Sequence, residues 1–301
     1  MAILSPFAEQ LNGLPQRVRE LSIDGTLTRW REYGRPEDPP VVFVHGFRGD
    51  HHGLEPVIAQ LRGLRIIAPD LPGFGESDRF DDREHSLASY ATWLRAFVEA
   101  LEFPEPPAVL GHSFGSLVVS ASVAAGLRPE RVILVNPIAS PALSGPRGLL
   151  TRLAVLYYRL GAALPERAGH LLLSHPLIVR GMSIVMAKTR NRARRAFIHD
   201  QHDRYFSAFA DRDVVLEAFR ASISHDIPEF AAALTMPVLL IAAERDDVCD
   251  LPSQRRVHAL LPSSELRVIP EVGHLIHYET PEAAAEQLRI FLAKGPNAPR
   301  V

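Results

Sequence analysis

The sequence predicts an α/β protein: a mostly parallel, twisted sheet flanked by helices and interrupted by one helical insertion. Three observations predict it. Short apolar runs alternate with amphipathic, helix-length segments, the pattern of repeated βα units. The alternation stops between Ile138 and Phe230, where strand periodicity disappears and helical periodicity takes over. And Ser113, Asp246 and His274 each follow directly on an apolar run, which in a parallel sheet puts all three at one carboxyl edge, where ligands bind in open α/β sheets.

The elements follow in chain order. Arg19–Ile23 and Leu27–Tyr33 alternate well enough for an antiparallel hairpin around Asp24-Gly25. Val41–Val44, Arg65–Ala68, Ala108–Leu110, Arg131–Val135, Val238–Ala243 and Leu266–Ile269 read as parallel strands. After Ser86, a suitable N-cap, Leu87, Tyr90, Leu94, Phe97, Val98 and Leu101 fall on one helical face. Leu117 to Ala125 continues as a helix of small and apolar residues. In the middle region, Leu149–Leu160, Ala168–Leu173, Pro176–Lys188, Arg190–Phe209 and Val214–Ser222 read as helices. Thr280-Pro281 is a cap followed by a first-turn proline and opens a helix to Leu292. Gly295 to Val301, with two prolines, reads as a frayed tail. The chain therefore divides into a core (1–137), a helical insertion (138–230) and the rest of the core (231–301).

The densest chemical signal is Gly111-His112-Ser113-Phe114-Gly115. It stands between an apolar run and a helical run, so it forms a sharp strand-to-helix turn. A serine hydroxyl is a poor nucleophile unless it is held exposed beside a base and near N–H groups that stabilise an oxyanion. A Cβ at Gly111 or Gly115 would clash in so tight a turn. Taken alone, the pentapeptide is an ordinary strand–turn–helix joint. What decides is the downstream pair: Glu244-Arg245-Asp246-Asp247 after one strand and Gly273-His274 after the next.

These motifs together resemble the α/β-hydrolase fold family, in its serine-nucleophile, esterase-like branch with a helical cap. Val42-Phe43-Val44-His45-Gly46-Phe47 resembles the family's first oxyanion loop, and Ala68 to Asp78 resembles the loop after the next strand. The resemblance runs from about Val18 to Leu292, apart from the insertion. It implies the order nucleophile, acid, histidine: Ser113, Asp246 and His274 as a catalytic triad. It also implies an oxyanion hole from the backbone N–H groups of Phe47 and Phe114. Asp246 is preferred because the family's acid stands three residues past a small residue closing the strand, here Ala243; Asp247 is its rival. The other position for an acid holds Asn136, which cannot serve as an anion. One departure is Ser116, where many relatives carry a second glycine. The insertion stands where the family inserts its lid, so 138–230 is expected to cap Ser113.

Other residues have quieter readings. Asp70 precedes Ser113 and reads as a loop brace. His45 and His112 read as scaffold beside the site, and His277 as structural or substrate-facing. Cys249, the single cysteine, reads as a buried structural thiol and excludes an intrachain disulfide. Gly73-Phe74-Gly75 is too short to be a phosphate cradle, and the chain holds no Cys/His cluster with zinc spacing, so neither cofactor nor metal is expected. Lys188 to Arg195 carries five basic residues and no acid, ordinarily a solvated helix face; an acidic partner, an anionic substrate or a membrane surface is the alternative. Leu171–Leu173, Leu177, Ile178, Met182 and Ile184–Met186 make the middle of the insertion apolar, and are expected to pack on the core or line the space above Ser113.

A chain of 301 residues, 47% hydrophobic, can bury a large core. A net charge of −2 gives no global field for nucleic acid. The first residues lack the basic and apolar regions of a secretory signal, and no apolar run reaches a membrane span, so a cytoplasmic protein without stable membrane insertion is expected. The function expected is hydrolysis of a small-molecule ester, of small to medium size and lipophilic, through an acyl-enzyme on Ser113. C–C bond or thioester hydrolysis, acyl transfer to another acceptor, and a non-catalytic ligand-binding module on the same fold are the alternatives.

Overall fold

The structure is a computed structural model, and it describes residues 3–140 and 148–294. The tail expected from Gly295 to Val301 lies outside the described residues.

Among the described residues, eight strands form one sheet: β1 (Gln16–Ile23), β2 (Thr26–Tyr33), β3 (Pro40–Val44), β4 (Arg65–Pro69), β5 (Ala108–His112), β6 (Arg131–Val135), β7 (Val238–Ala243) and β8 (Ser264–Ile269). Their order across the sheet is β1-β2-β4-β3-β5-β6-β7-β8. β1 and β2 pair antiparallel, and so do β2 and β4; every later neighbour is parallel. The hairpin turns at Asp24 and Gly25, whose φ values of 47° and 83° are those of a two-residue turn matched to strand twist.

The inner parallel strands β3 to β7 are buried along nearly their whole length because both faces are covered, while the edge strand β8 carries Glu265 and Arg267 and is buried only at Ile269. In β6, Val132 and Leu134 join one core cluster with α3 (Leu87–Ala100) and α4 (Phe114–Ala124), while Ile133 and Val135 join the other. That second face is covered by α2 (Glu55–Ile58) and α12 (Pro281–Leu292), through Val57, Ile58, Leu288 and Phe291. The short α1 (Ala8–Asn12) lies beside α2. Ser86 caps α3 by accepting a hydrogen bond from Ser89 N at 3.2 Å. Thr280 stands at the cap of α12, but its buried hydroxyl makes no bond among the described residues, so it caps by position alone.

Among the described residues, five helices run between β6 and β7: α5 (Gly148–Ala163), α6 (Glu166–Leu173), α7 (Pro176–Met186), α8 (Arg192–Tyr205) and α9 (Arg212–Ser224). α8 is shorter at both ends than its periodicity predicts. Asn191 caps it through Arg194 N, and past Tyr205 the chain extends to bridge Phe209 with Phe74. A 3₁₀ turn, Ile227–Ala233, returns the chain to the core beside α4 and α10 (Leu251–Leu260). The apolar middle of the insertion divides in two. Leu173 and Val179 are buried, but Leu171, Leu177, Ile184 and Val185 face outward, contrary to the expectation that they would pack inward.

Candidate active site

Ser113 stands between β5 and α4 with φ 52° and ψ −117°, a conformation L-residues avoid unless their surroundings impose it. The surroundings are backbone. A Cβ on Gly111 would lie 2.3 Å from the Gly115 carbonyl oxygen, and one on Gly115 would lie 2.3 Å from that of Val44. Only glycine allows strand and helix to come this close. Ser116 uses its hydroxyl where a further glycine would have none: it donates to the Ser113 carbonyl at 2.5 Å and accepts from Ile138 N at 3.3 Å.

The acid follows β7 and the histidine follows β8. Glu244 N donates to Ile269 O and Arg245 N to Val272 O, which joins the loop after β7 to the loop after β8. The histidine loop ends at α11 (Ile276–Glu279). His274 Nδ1 donates to Asp246 Oδ2 at 2.8 Å, and Ser113 Oγ is 2.8 Å from His274 Nε2. With its Nδ1 proton held by the carboxylate, His274 presents the Nε2 lone pair to the serine. Asp246 Oδ1 accepts from Val248 N (2.7 Å) and Cys249 N (3.0 Å), so both oxygens are engaged. Asp247 points away and pairs with Lys188 Nζ.

Sequence order puts Gly46-Phe47 beside the serine, and so does the structure. A Cβ on Gly46 would lie 3.3 Å from Ser113 Cβ. Neither Phe47 N nor Phe114 N donates to a protein acceptor among the described residues. The Phe47 ring packs against Phe74, Tyr158 and Phe219 at centroid distances of 6.2, 5.7 and 5.8 Å, an aromatic wall. Phe219 also lines a cleft of about 200 Å³ between α5 and α9, with Val155, Leu216, Ile223 and the arginines Arg159 and Arg220.

Neighbouring histidines are kept neutral. Burial, then repulsion from His274, pushes His112 down to about 3. Burial, with His112 and His274 nearby, holds His277 well below the ordinary value. Their rings lie 4.2 Å apart. Burial also lowers His45, whose Nε2 accepts from Leu71 N at 2.8 Å. Asp70 braces its loop, accepting from His51 N, His51 Nδ1 and Glu76 N at 2.8 to 2.9 Å. Cys249 is buried, and its thiol is pushed well up by burial and the Asp246 charge.

The roles of three residues here are not signalled by the sequence. Asn136, with φ 45°, donates Nδ2 to His274 O and accepts from Ala243 N, both at 2.8 Å. It ties the end of β7 to the histidine loop. Arg48, 1% exposed, donates to the carbonyls of Phe206 (3.0 Å) and Leu173 (2.8 Å), the ends of α8 and α6. It thus fastens the Gly46-Phe47 loop to the insertion. Glu279 accepts from Lys188 N at 2.6 Å and joins the insertion to the helix after His274. Their partners lie far away in sequence, and no spacing rule signals them.

Two groups bring potential metal ligands together among the described residues. Asp246, Cys249 and His274 belong to the site just described. In the other, His51 gives Nδ1 to Asp70, and its Nε2 accepts from Arg31 Nε at 3.2 Å.

A sequence profile described as the alpha/beta hydrolase family matches residues 41–287. The chain is 27% identical over 298 residues to an uncharacterised hydrolase, YugF, of Bacillus subtilis, with 91% of this chain and 97% of that protein covered. It is 30% identical over 292 residues to the dihydrolipoyllysine-residue acetyltransferase component of the acetoin cleaving system of Pseudomonas putida, covering 95% of this chain and 72% of the other. An esterase from Exiguobacterium antarcticum shares the fold with a TM-score of 0.76 at 18% identity, over 92% of this chain and 100% of that one. The family match across most of the chain, and the relatives along nearly all of it, place this protein in the alpha/beta hydrolase family: it is an enzyme, a hydrolase.

Proposed function

We propose that this hydrolase cleaves a small to medium lipophilic carboxylic ester through an acyl-enzyme on Ser113. The observation that carries the reading is the hydrogen-bonded chain Asp246–His274–Ser113, at 2.8 Å per link, beside two backbone N–H groups with no protein acceptor among the described residues.

In this reading Ser113 Oγ bonds to the ester carbonyl carbon as its proton passes to His274 Nε2. Asp246 orients the imidazole and stabilises its cation. Negative charge develops on the carbonyl oxygen and is met by the N–H groups of Phe47 and Phe114. The C–O bond to the alcohol breaks, and His274 returns the proton to the departing oxygen. Water then adds to the acyl-enzyme, with His274 as base, and releases the acid and the serine. The insertion acts as a cap, and the aromatic wall around Phe47 supports a lipophilic acyl or alcohol group.

The test is a panel of p-nitrophenyl esters and thioesters with fluorophosphonate labelling, on wild type and Ser113→Ala. Wild type should label and turn over acyl chains of intermediate length best. Ser113→Ala should lose labelling and about 10⁴- to 10⁶-fold in rate while staying folded. A folded Ser113→Ala protein with near-normal turnover rules the mechanism out. Labelling with product only when a second alcohol or thiol is supplied would make the protein an acyltransferase.

A further inference from the structure

The insertion has an outer face that the proposed reaction does not use. Leu153, Leu156 and Leu160 on α5, and Leu164 just beyond it, are 39 to 54% exposed. At about 100° per residue, these four fall within an arc of roughly 80°. Tyr158 and Gly161 are buried on the opposite side, where Tyr158 packs on Phe47 and Phe219. α7 repeats the arrangement: Leu177, Ile184 and Val185 are 56 to 76% exposed while Val179 and Ser183 face inward. Eight of the sixteen large apolar side chains exposed among the described residues fall between 153 and 185. Isolated exposed leucines are ordinary; a stripe along each of two helices of one insertion is not.

The charge of the same stretch is lopsided. From Arg152 to Arg195 there are nine basic residues and a single acid, Glu166, in a chain whose net charge is −2. Over 138–230 the basic residues number 13 and the acidic 8, so the excess acid lies in the core. Lys188 and Arg194 are engaged with Asp247 and Glu282. Arg152, Arg159, Arg190 and Arg192 form no ion pair among the described residues, and all four are exposed.

We propose that this outer face docks on an anionic lipid leaflet. The leucine stripes would enter the boundary between headgroups and acyl chains, and the arginines would sit among lipid phosphates, the arrangement of an interfacial amphipathic helix. Charge decides against the other occupant of an apolar face, a second copy of the chain. A two-fold contact would set this basic surface against itself. Among the described residues, no helix is long and apolar enough to cross a membrane.

The test is flotation of the full-length protein with vesicles of phosphatidylcholine alone or mixed with phosphatidylglycerol, at low and high salt. The protein should float with the anionic vesicles at low salt and be released by high salt. Leu156→Glu/Leu160→Glu should lower partitioning roughly tenfold or more, and Arg190→Glu/Arg192→Glu about fivefold per residue. Both variants should keep wild-type circular dichroism and turnover of a soluble ester. Absence of flotation with anionic vesicles, or equal flotation of the variants, overturns the proposal. So does light scattering that shows a dimer dissolved by Leu156→Glu/Leu160→Glu.

Discussion

Two adjacent aspartates show how a single residue's surroundings decide its role. The Asp246 side chain is shut away from solvent, accepts two backbone N–H bonds and holds His274. Asp247 is 44% exposed and pairs with Lys188. Asp246→Asn keeps the shape but offers an amide where the imidazole N–H needs an anion. It should lower kcat/KM by about 10⁴. Asp247→Asn breaks a partly exposed ion pair worth at most about 1 kcal/mol, and turnover should stay within a few-fold of wild type. Both are read from ester hydrolysis by folded protein, and the reverse order would move the acid by one position. At this scale the sequence tells half the story. It brings Ser113, Asp246 and His274 to one sheet edge because each follows a strand. It does not show the hydrogen bonds of Asn136 and Arg48, which exist only after distant segments meet.

At the scale of the element, the same substitution should have opposite signs at two glycines. In the turn into α4, a Cβ on Gly115 would meet the carbonyl oxygens of Val44 and His45 at 2.3 and 2.5 Å, both backbone atoms that cannot swing aside. Gly115→Ala should therefore destabilise the protein by more than about 2 kcal/mol, or displace Ser113 and abolish labelling. Gly181 lies in the middle of α7 with nothing within 4 Å of a Cβ. Gly181→Ala should stabilise by about 0.5 to 1 kcal/mol, because alanine loses less freedom in a helix. Denaturant unfolding of both variants checks the pair, and a stabilised Gly115→Ala would contradict the packing of the turn. Elements were legible in proportion to how local their causes are. The inner parallel strands are nearly continuous apolar runs, and every parallel strand lies within a few residues of where the sequence puts it. Helices of the insertion were legible as helices, but their ends and outward faces were not. Periodicity shows that Leu177 and Ile184 share a face; it does not say whether anything covers that face.

For the whole molecule, buried histidines set the response to acid. His112, His202 and His277 are buried, and burial first, then nearby positive groups, lowers all three from an ordinary value of 6.5. His112 and His202 fall to about 3. In the unfolded chain these histidines take up protons as pH drops through about 6.5, whereas in the folded protein they stay neutral. The unfolded state then binds more protons, so acid favours unfolding. Each histidine contributes about 1.4 kcal/mol per pH unit between its unfolded value and its folded one, a window from about 6.5 down to 3 for His112 and His202. His51 has the opposite sign. Burial opposes its charge, but attraction and a hydrogen bond from Asp70 outweigh burial and raise it. Its stabilisation is complete below the unfolded value and lost as pH rises through the folded one, so it partly offsets the other three. Burial lowers His45 and His85 as well, so the balance of the buried histidines favours unfolding as pH falls from 7 to 5. Guanidinium unfolding at the two pH values should show the midpoint falling with acid. His277→Phe should make that fall shallower, because it removes one titrating ring whose Nδ1 has no partner to lose among the described residues. A midpoint unchanged or higher at pH 5 would mean these rings take up protons in the folded protein as readily as in the unfolded chain.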